Sequence, residues 1–260
     1  VQIMGIINLT PDSFSDGGKI QTISQFEAIA KSMLENGAEI LDLGAEASGP
    51  NSTNISEIEE EKRILPYLKS LQKLKKTHKF KISVDTYKPK IIELALKYDA
   101  DIINDITALR AAPPPPALIQ SDCKIVLMYS KDPTARTTKK TVDYPDIMQT
   151  LITFFEERIN FAQKNGIAKS RLILDPGMGA FVSSISAYSF EILERLQELK
   201  NHFNLPILIG TSRKSMHPFS LEDRLIPSIS TALLASFNGA DILRVHDVRE
   251  HKQAVSTFSF

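Results

Sequence analysis

The chain of 260 residues has one cysteine, no excess of either charge and no long apolar run. A single thiol, Cys123, cannot form an intramolecular disulfide and fits a reducing compartment, the cytoplasm. Its neighbours Lys124-Ile125-Val126-Leu127 read as a buried strand rather than as the setting of a reactive thiol. Lysine plus arginine and aspartate plus glutamate number 31 each, so no global field draws the protein to nucleic acid or anionic lipid. Any anionic ligand has to be held by local geometry. No apolar segment reaches the roughly 18 residues a membrane helix needs, and no basic-then-apolar leader opens the chain, so neither a membrane anchor nor secretion is expected. The chain does begin almost on a strand, Val1-Gln2-Ile3-Met4, which is abrupt for a complete protein and suggests preceding residues or a domain. Missing too are the glycine fingerprint of dinucleotide sites, zinc-ligand spacing, a nucleophile elbow and a glycine-lysine phosphate loop. The first gap argues against an open doubly wound nucleotide-binding sheet, and the others against metalloprotease, esterase and NTPase chemistry.

What is present is a regular alternation. Short apolar runs at residues 3–7, 40–43, 82–84, 102–103, 125–128, 172–174, 207–209 and 242–245 are separated by helical patterns such as Phe26-Ile29-Ala30-Met33-Leu34 and Ile147-Leu151-Phe154-Phe155-Ile159. Eight strand-helix units predict an α/β chain closed into a single (β/α)8 TIM barrel. Polar residues stand at or just past the C-terminal end of nearly every run: Asn8, Asp42, Asp85, Asn104-Asp105, Asp175, Ser212-Arg213-Lys214, and Arg244 with His246. In a barrel all these ends open on one face, so groups scattered through the sequence converge. Residues 111–116, Ala-Ala-Pro-Pro-Pro-Pro, predict a stiff extended connector, and residues 131–143 a polar loop that reads as a solvated excursion ahead of a mobile lid.

The converging groups divide by chemistry. Asp85, Asn104 and Asp175 suit a heterocycle that presents several N–H donors and a carbonyl, as an aminopyrimidinone does. Asp42 and Asp105 read equally well as caps of the following helices. For Asp85 a cap is a weaker reading, because Thr86 and Pro89 can start the next helix without it. Gly210-Thr211-Ser212-Arg213-Lys214-Ser215, followed by Arg244-Val245-His246 with both polar side chains on one strand face, suits a pyrophosphate. Residues 12–18, rich in turn formers, read as either a cover over the substrate or a plain turn.

Six blocks in order carry a family resemblance: residues 4–18, Asp42-Leu43-Gly44-Ala45-Glu46, residues 83–89, Ile103-Asn104-Asp105-Ile106, Leu174-Asp175-Pro176-Gly177-Met178-Gly179, and residues 210–215 with 244–248. The chain resembles the dihydropteroate synthases over practically its full length. The resemblance implies condensation of 6-hydroxymethyl-7,8-dihydropterin pyrophosphate with p-aminobenzoate, releasing pyrophosphate, in cytoplasmic folate synthesis. It implies that Asp85, Asn104, Asp175, Lys214, Met128 and Gly210 form the pterin pocket, and that Asn8, Arg244 and His246 hold the pyrophosphate, with Asn8 also ligating Mg2+. Ser48, Pro50, Phe181 and Ser215 then line the p-aminobenzoate subsite, and Asp85, Lys214, Arg244 and His246 carry the catalysis. A homodimer, sulfonamide sensitivity and a fused upstream pterin pyrophosphokinase domain also belong to the family's repertoire. A corrinoid-linked methyltetrahydrofolate methyltransferase and a non-catalytic pterin-binding domain are the alternatives.

The chain departs from the pattern in one region. The loop after the second run usually continues Glu-Ser-Thr-Arg-Pro-Gly and here reads Glu46-Ala47-Ser48-Gly49-Pro50-Asn51, without the arginine. After the fifth run Met-His-Met becomes Met128-Tyr129-Ser130, and after the sixth an aromatic is displaced, leaving Ala180 then Phe181. All three changes fall on the p-aminobenzoate side.

Overall fold

A computed structural model describes residues 1–9, 22–50 and 52–258. The turn-rich stretch at residues 12–18 lies outside them. The strands are β1 (Gln2–Asn8), β2 (Ile40–Gly44), β3 (Lys81–Asp85), β4 (Ile102–Asp105), β5 (Lys124–Met128), β6 (Leu172–Asp175), β7 (Leu208–Ile209) and β8 (Ile242–Val245). All pair in parallel in the order β6-β5-β4-β3-β2-β1-β8-β7. A bridge between Leu174 and Ile207 joins β6 to the segment leading into β7 and closes the ring. Around it run α1 (Ile23–Glu35), α2 (Glu57–Leu74), α3 (Pro89–Lys97), α4 (Pro116–Gln120), α5 (Ile147–Lys164), α6 (Ala187–Glu194), α7 (Leu196–Phe203), α8 (Leu225–Phe237) and α9 (Val248–Thr257). The chain is a single (β/α)8 barrel.

Strands covered on both faces must be apolar on both, which is why they appear in the sequence as unbroken runs. Met4, Ile40, Ile102, Val126, Ile173, Leu208 and Ile242 fill the barrel interior. A second, larger cluster, including Phe26, Leu68 and Phe155, lies between the ring and the helices. Local signals start several helices. Thr22 and Gln25 form a capping box on α1, and Asp146 accepts from the amides of Met148 and Gln149 at the start of α5. Pro89 occupies the first turn of α3, which has no side-chain cap. Asp85 is therefore left for other work. Cys123 is buried just before β5, and burial pushes its thiol up to about 12, so it is inert at neutral pH.

Three expectations change. The proline run is extended only through Pro115; Pro116 is the first residue of α4, a position where its missing N–H costs nothing. The stretch after β5 is not a solvated excursion in its first half. Lys131 is nearly sealed, donating to the Ala180 and Thr138 carbonyls, and Thr137 is buried. Its cations and hydroxyls serve contacts within the fold, a use that composition does not distinguish from solvation. Asp105 closes a turn, accepting from the Thr107 and Leu109 amides, whereas Asp42 caps nothing and points into the barrel.

Candidate active site

Side chains alternate along a strand, so Asp42 shares the inward face of β2 with the core residue Ile40 two positions earlier. It sits one layer nearer the C-terminal mouth and has no exposed surface. A buried carboxylate must be compensated, and three groups do so. Ser83 Oγ donates at 2.5 Å, Asn104 Nδ2 at 3.2 Å and Arg244 Nε at 2.6 Å. Arg244 Nη2 donates in turn to Asp85 Oδ2 at 3.0 Å. The guanidinium is thus fixed by two carboxylates from different strands, and its Nη1 has no hydrogen-bond partner among the described residues. Sequence reasoning singled out Arg244 and Asp85 but not the role of Asp42. The signal was a lone acid in the second position before the end of an apolar strand.

Past the ends of β3, β4 and β6 lies a narrow cavity of about 40 Å³ lined by Asp85, Asn104, Met128, Asp175, Phe181 and Lys214, with Ser48, Gly210 and Arg244 also on its wall. Gly177 turns the chain sharply after β6 at φ 69°, where a Cβ would stand 2.5 Å from the Tyr129 carbonyl. Its amide donates to Asp175 Oδ1 at 2.8 Å, which aims the carboxylate into the mouth. Burial raises Asp175 to about 6, against the opposing pull of the Gly177 amide and Lys214. Burial also raises Asp85, with Arg244 opposing and Asp42 adding to the push.

A second groove of about 310 Å³ adjoins the first and shares Gly210, Lys214 and Arg244 with it; Ser212, Arg213 and His246 complete its polar lining. Arg213 adopts a left-handed backbone at φ 58° and pairs with Asp247 at 2.6 Å. This turn sends the next side chain inward, where Lys214 Nζ lies 4.5 Å from the centre of the Phe181 ring. Burial, then the Arg244 cation, bring Lys214 down to about 8. Burial and the cations of Arg213, Arg244 and Lys214 hold His246 down at about 3, so the imidazole is neutral at ordinary pH. Its Nδ1 shares a hydrogen bond with Ser212 Oγ at 3.0 Å; in the tautomer for which the Ser212 hydroxyl supplies that proton, Nε2–H is left as a donor. The mouth therefore has an acidic half and a basic half.

The remaining residues singled out from the sequence stand around these grooves. Asn8 ends β1, with its Oδ1 3.8 Å from the point where a Cβ on Gly44 would sit and the Asp85 Cβ 3.4 Å from that same point. Its carboxamide makes no hydrogen bond to another described side chain. Among the described residues no group of three or more His, Cys, Asp or Glu is arranged to hold a metal. Asn8 offers a hard carboxamide oxygen of the kind Mg2+ uses when substrate phosphate and water complete its shell, so its chemistry fits that ion. Ser215 is exposed at the rim beside Gly179, and Pro50 lies half-buried on the β2 loop, outside the lining of either groove. A wider opening of about 940 Å³, lined partly by Lys81, Asp101 and Cys123, is at the opposite, N-terminal end of the strands. Barrel chemistry is placed at the C-terminal face, where Asp85, Asp175, Lys214 and Arg244 meet.

Known proteins resemble this chain along nearly its whole length. The sequence family described as pterin binding enzyme matches residues 4–246. The dihydropteroate synthase type-3 of Escherichia coli is 37% identical over 258 residues, which cover 98% of this chain and 97% of that protein. The dihydropteroate synthase of Escherichia coli strain K12 is 38% identical over 259 residues, 97% of this chain and 89% of that one. Among solved structures, the Yersinia pestis dihydropteroate synthase in complex with a sulfonamide drug superposes with a TM-score of 0.90 at 36% identity, covering 98% of this chain and 92% of that one. The Xanthomonas albilineans enzyme in complex with 7,8-dihydropteroate gives 0.81 at 34% identity, covering 99% and 92%. A barrel whose mouth joins an acid-lined cavity to a cationic groove, matched along nearly its whole length by these relatives, belongs to the family of pterin-binding enzymes.

Proposed function

We propose that the chain is a dihydropteroate synthase, joining 6-hydroxymethyl-7,8-dihydropterin pyrophosphate to p-aminobenzoate and releasing pyrophosphate. The observation that carries this is the shared wall, Lys214 and Arg244, between an acid-lined cavity and a cationic groove. The substrate has the same polarity, with a hydrogen-bond-donating heterocycle at one end and a polyanion at the other.

In this proposal Asp85 and Asp175 accept from the amino and ring N–H groups of the pterin, Asn104 supplies a carboxamide, and Lys214 donates to the ring carbonyl. Arg244 Nη1, His246 Nε2–H and Ser212 face the pyrophosphate. Asn8 would hold Mg2+ together with pyrophosphate oxygens, and the ion when bound would neutralise charge on the leaving group. The C–O bond breaks with its electron pair passing to pyrophosphate, where the fixed Arg244 fork meets charge that grows as the bond opens. The acid-lined cavity steadies the developing positive charge on the pterin. The arylamine nitrogen then supplies the pair for the new C–N bond and gives up a proton. Ser48, Phe181 and Ser215 flank its approach, with Pro50 on the same loop as Ser48, and the same subsite would take a sulfonamide.

Mixing the protein with pterin pyrophosphate, Mg2+ and p-aminobenzoate should release pyrophosphate in step with dihydropteroate. Between about 7 and about 8 Asp85 and Asp175 are ionised and Lys214 is charged. Below that window protonation removes an acceptor for the pterin; above it Lys214 loses its charge. The profile of kcat/KM should therefore be a bell with limbs near these values. No release above background at any pH in the window would sink the synthase proposal.

A homodimer is proposed on separate grounds. Ile226 and Phe237 on α8 are 75% and 62% exposed, an apolar strip that a second copy would cover. Sedimentation should find a dimer that Ile226→Glu converts to monomer; a monomeric unaltered protein at micromolar concentration would refute it.

A further inference from the structure

We propose that Arg136 is a positioning residue for the arylamine half of the site, holding the β2 loop that carries Ser48 and Pro50 in register with Phe181. This rests on the synthase proposal above, which assigns that half of the mouth to p-aminobenzoate.

Arg136 comes from the loop after β5, and its Nη2 donates to Glu46 Oε1 and, at 2.9 Å, to the Thr53 carbonyl. Both partners belong to the loop between β2 and α2. The other carboxylate oxygen of Glu46 receives Lys88 Nζ at 2.9 Å, and Lys88 also meets Glu60 Oε2 at 2.6 Å. Glu60 Oε1 accepts from Thr86 Oγ1 at 2.9 Å, one residue past Asp85. Two acids and two cations thus form a neutral chain from the β3 end to the loop after β5. Glu46 and Lys88 are about nine-tenths buried, and Glu60 almost wholly so. Ion pairs so shielded are directional and little screened by salt.

Backbone contacts continue the same seam. The Thr137 amide donates to the Ser48 carbonyl at 3.2 Å, the Thr137 hydroxyl to the Ala180 carbonyl at 2.7 Å, and the Lys131 amide to the Phe181 carbonyl at 2.8 Å. Ala135 packs against the cluster of Ile106, Met128 and Phe181. The loop after β5 is therefore tied to the β2 loop on one side and the β6 loop on the other, between the two residues that flank the amine. Arg136 supplies the charged tie. Its buried Nε has no acceptor among the described residues, so the side chain is not there to complete a saturated structural network. The sequence has no cation on the β2 loop itself from Ala45 to Asn54; Arg63 on α2 reaches only its first carbonyl, Ala45, at 3.4 Å, whereas Arg136 reaches Glu46 and Thr53 from across the mouth.

The test is calorimetric and needs no turnover. p-Aminobenzoate is titrated into the protein held with pterin, inorganic pyrophosphate and Mg2+, and pterin pyrophosphate is titrated separately into the free protein. Arg136→Met should weaken p-aminobenzoate about tenfold, the scale at which a small misplacement of a binding group is felt, and leave pterin pyrophosphate within about twofold. Arg136→Lys, which keeps the charge on Glu46 but loses the reach to Thr53, should recover part of the loss and guards against a methionine variant that fails to fold. Glu46→Gln should reproduce the loss, with the double variant no worse than either single one. Equal losses for both ligands, no loss for p-aminobenzoate, a lysine variant no better than methionine, or an unaltered protein that binds no p-aminobenzoate would each overturn the assignment. Absence of turnover alone would count against the synthase proposal and not against Arg136.

Discussion

Arg244→Ala is expected to lower kcat/KM by about a thousandfold, the cost of removing a preorganised donor from charge that develops in the transition state. It should weaken the pyrophosphorylated pterin far more than 6-hydroxymethylpterin without pyrophosphate. The same change strips Asp42 of its charged partner, leaving a fully buried carboxylate with only Ser83 and Asn104 as donors. Breaking a buried pair in this way costs on the order of 3 kcal/mol of stability. Arg244→Lys separates the two effects, because an ammonium restores charge near Asp42 but cannot span Asp42, Asp85 and an anion together. Lysine should recover most of the melting temperature and little of the turnover. If alanine weakens both ligands equally in titration calorimetry, Arg244 does not divide the mouth as proposed.

Asp85→Ala is expected to weaken pterin binding by about a hundredfold, with or without the pyrophosphate, since a charge-assisted acceptor for the heterocycle disappears. Its effect on stability has the opposite sign to that of Arg244. The folded state raises the Asp85 pKa above its ordinary 3.8, so at neutral pH, above the unfolded value, the ionised group is a cost to the fold that fades as pH falls. Arg244 keeps Asp42 as a partner after the substitution. Thermal unfolding should therefore show Asp85→Ala melting no lower than the unaltered protein near neutral pH, while its pterin affinity collapses. A variant that melts much earlier, or loses only the pyrophosphorylated ligand, would contradict this account.

Much of the site was legible because strand ends in a barrel converge whatever their separation in sequence. Asp85, Asn104, Asp175, Lys214 and Arg244 could be grouped from position alone, and the structure brings them onto shared walls. Asp42 was ambiguous, since a carboxylate near a strand end suits a helix cap as well as an interior ion pair. Only the register of β2 against β3, which sets Asp42 opposite Ser83, turns it toward Arg244. Arg136 gave no signal: it stands in a polar loop, and its partner Glu46 is 90 residues away. The polar stretch at residues 131–143 was read as solvated for the same reason, as composition does not report which hydroxyls and amines find acceptors inside the fold.

The sequence by itself determined the barrel, through eight apolar runs whose period and length admit few other closures, and it determined the chemistry available at the mouth. What only the tertiary structure decided is which charges are already committed. Arg244 is spoken for on two of its nitrogens and open on the third, Lys214 is turned inward by the left-handed Arg213, and Glu46 draws a cation from across the mouth. Pairing of this kind depends on distances of a few ångströms between residues far apart along the chain, to which local propensity and hydrophobic period are blind.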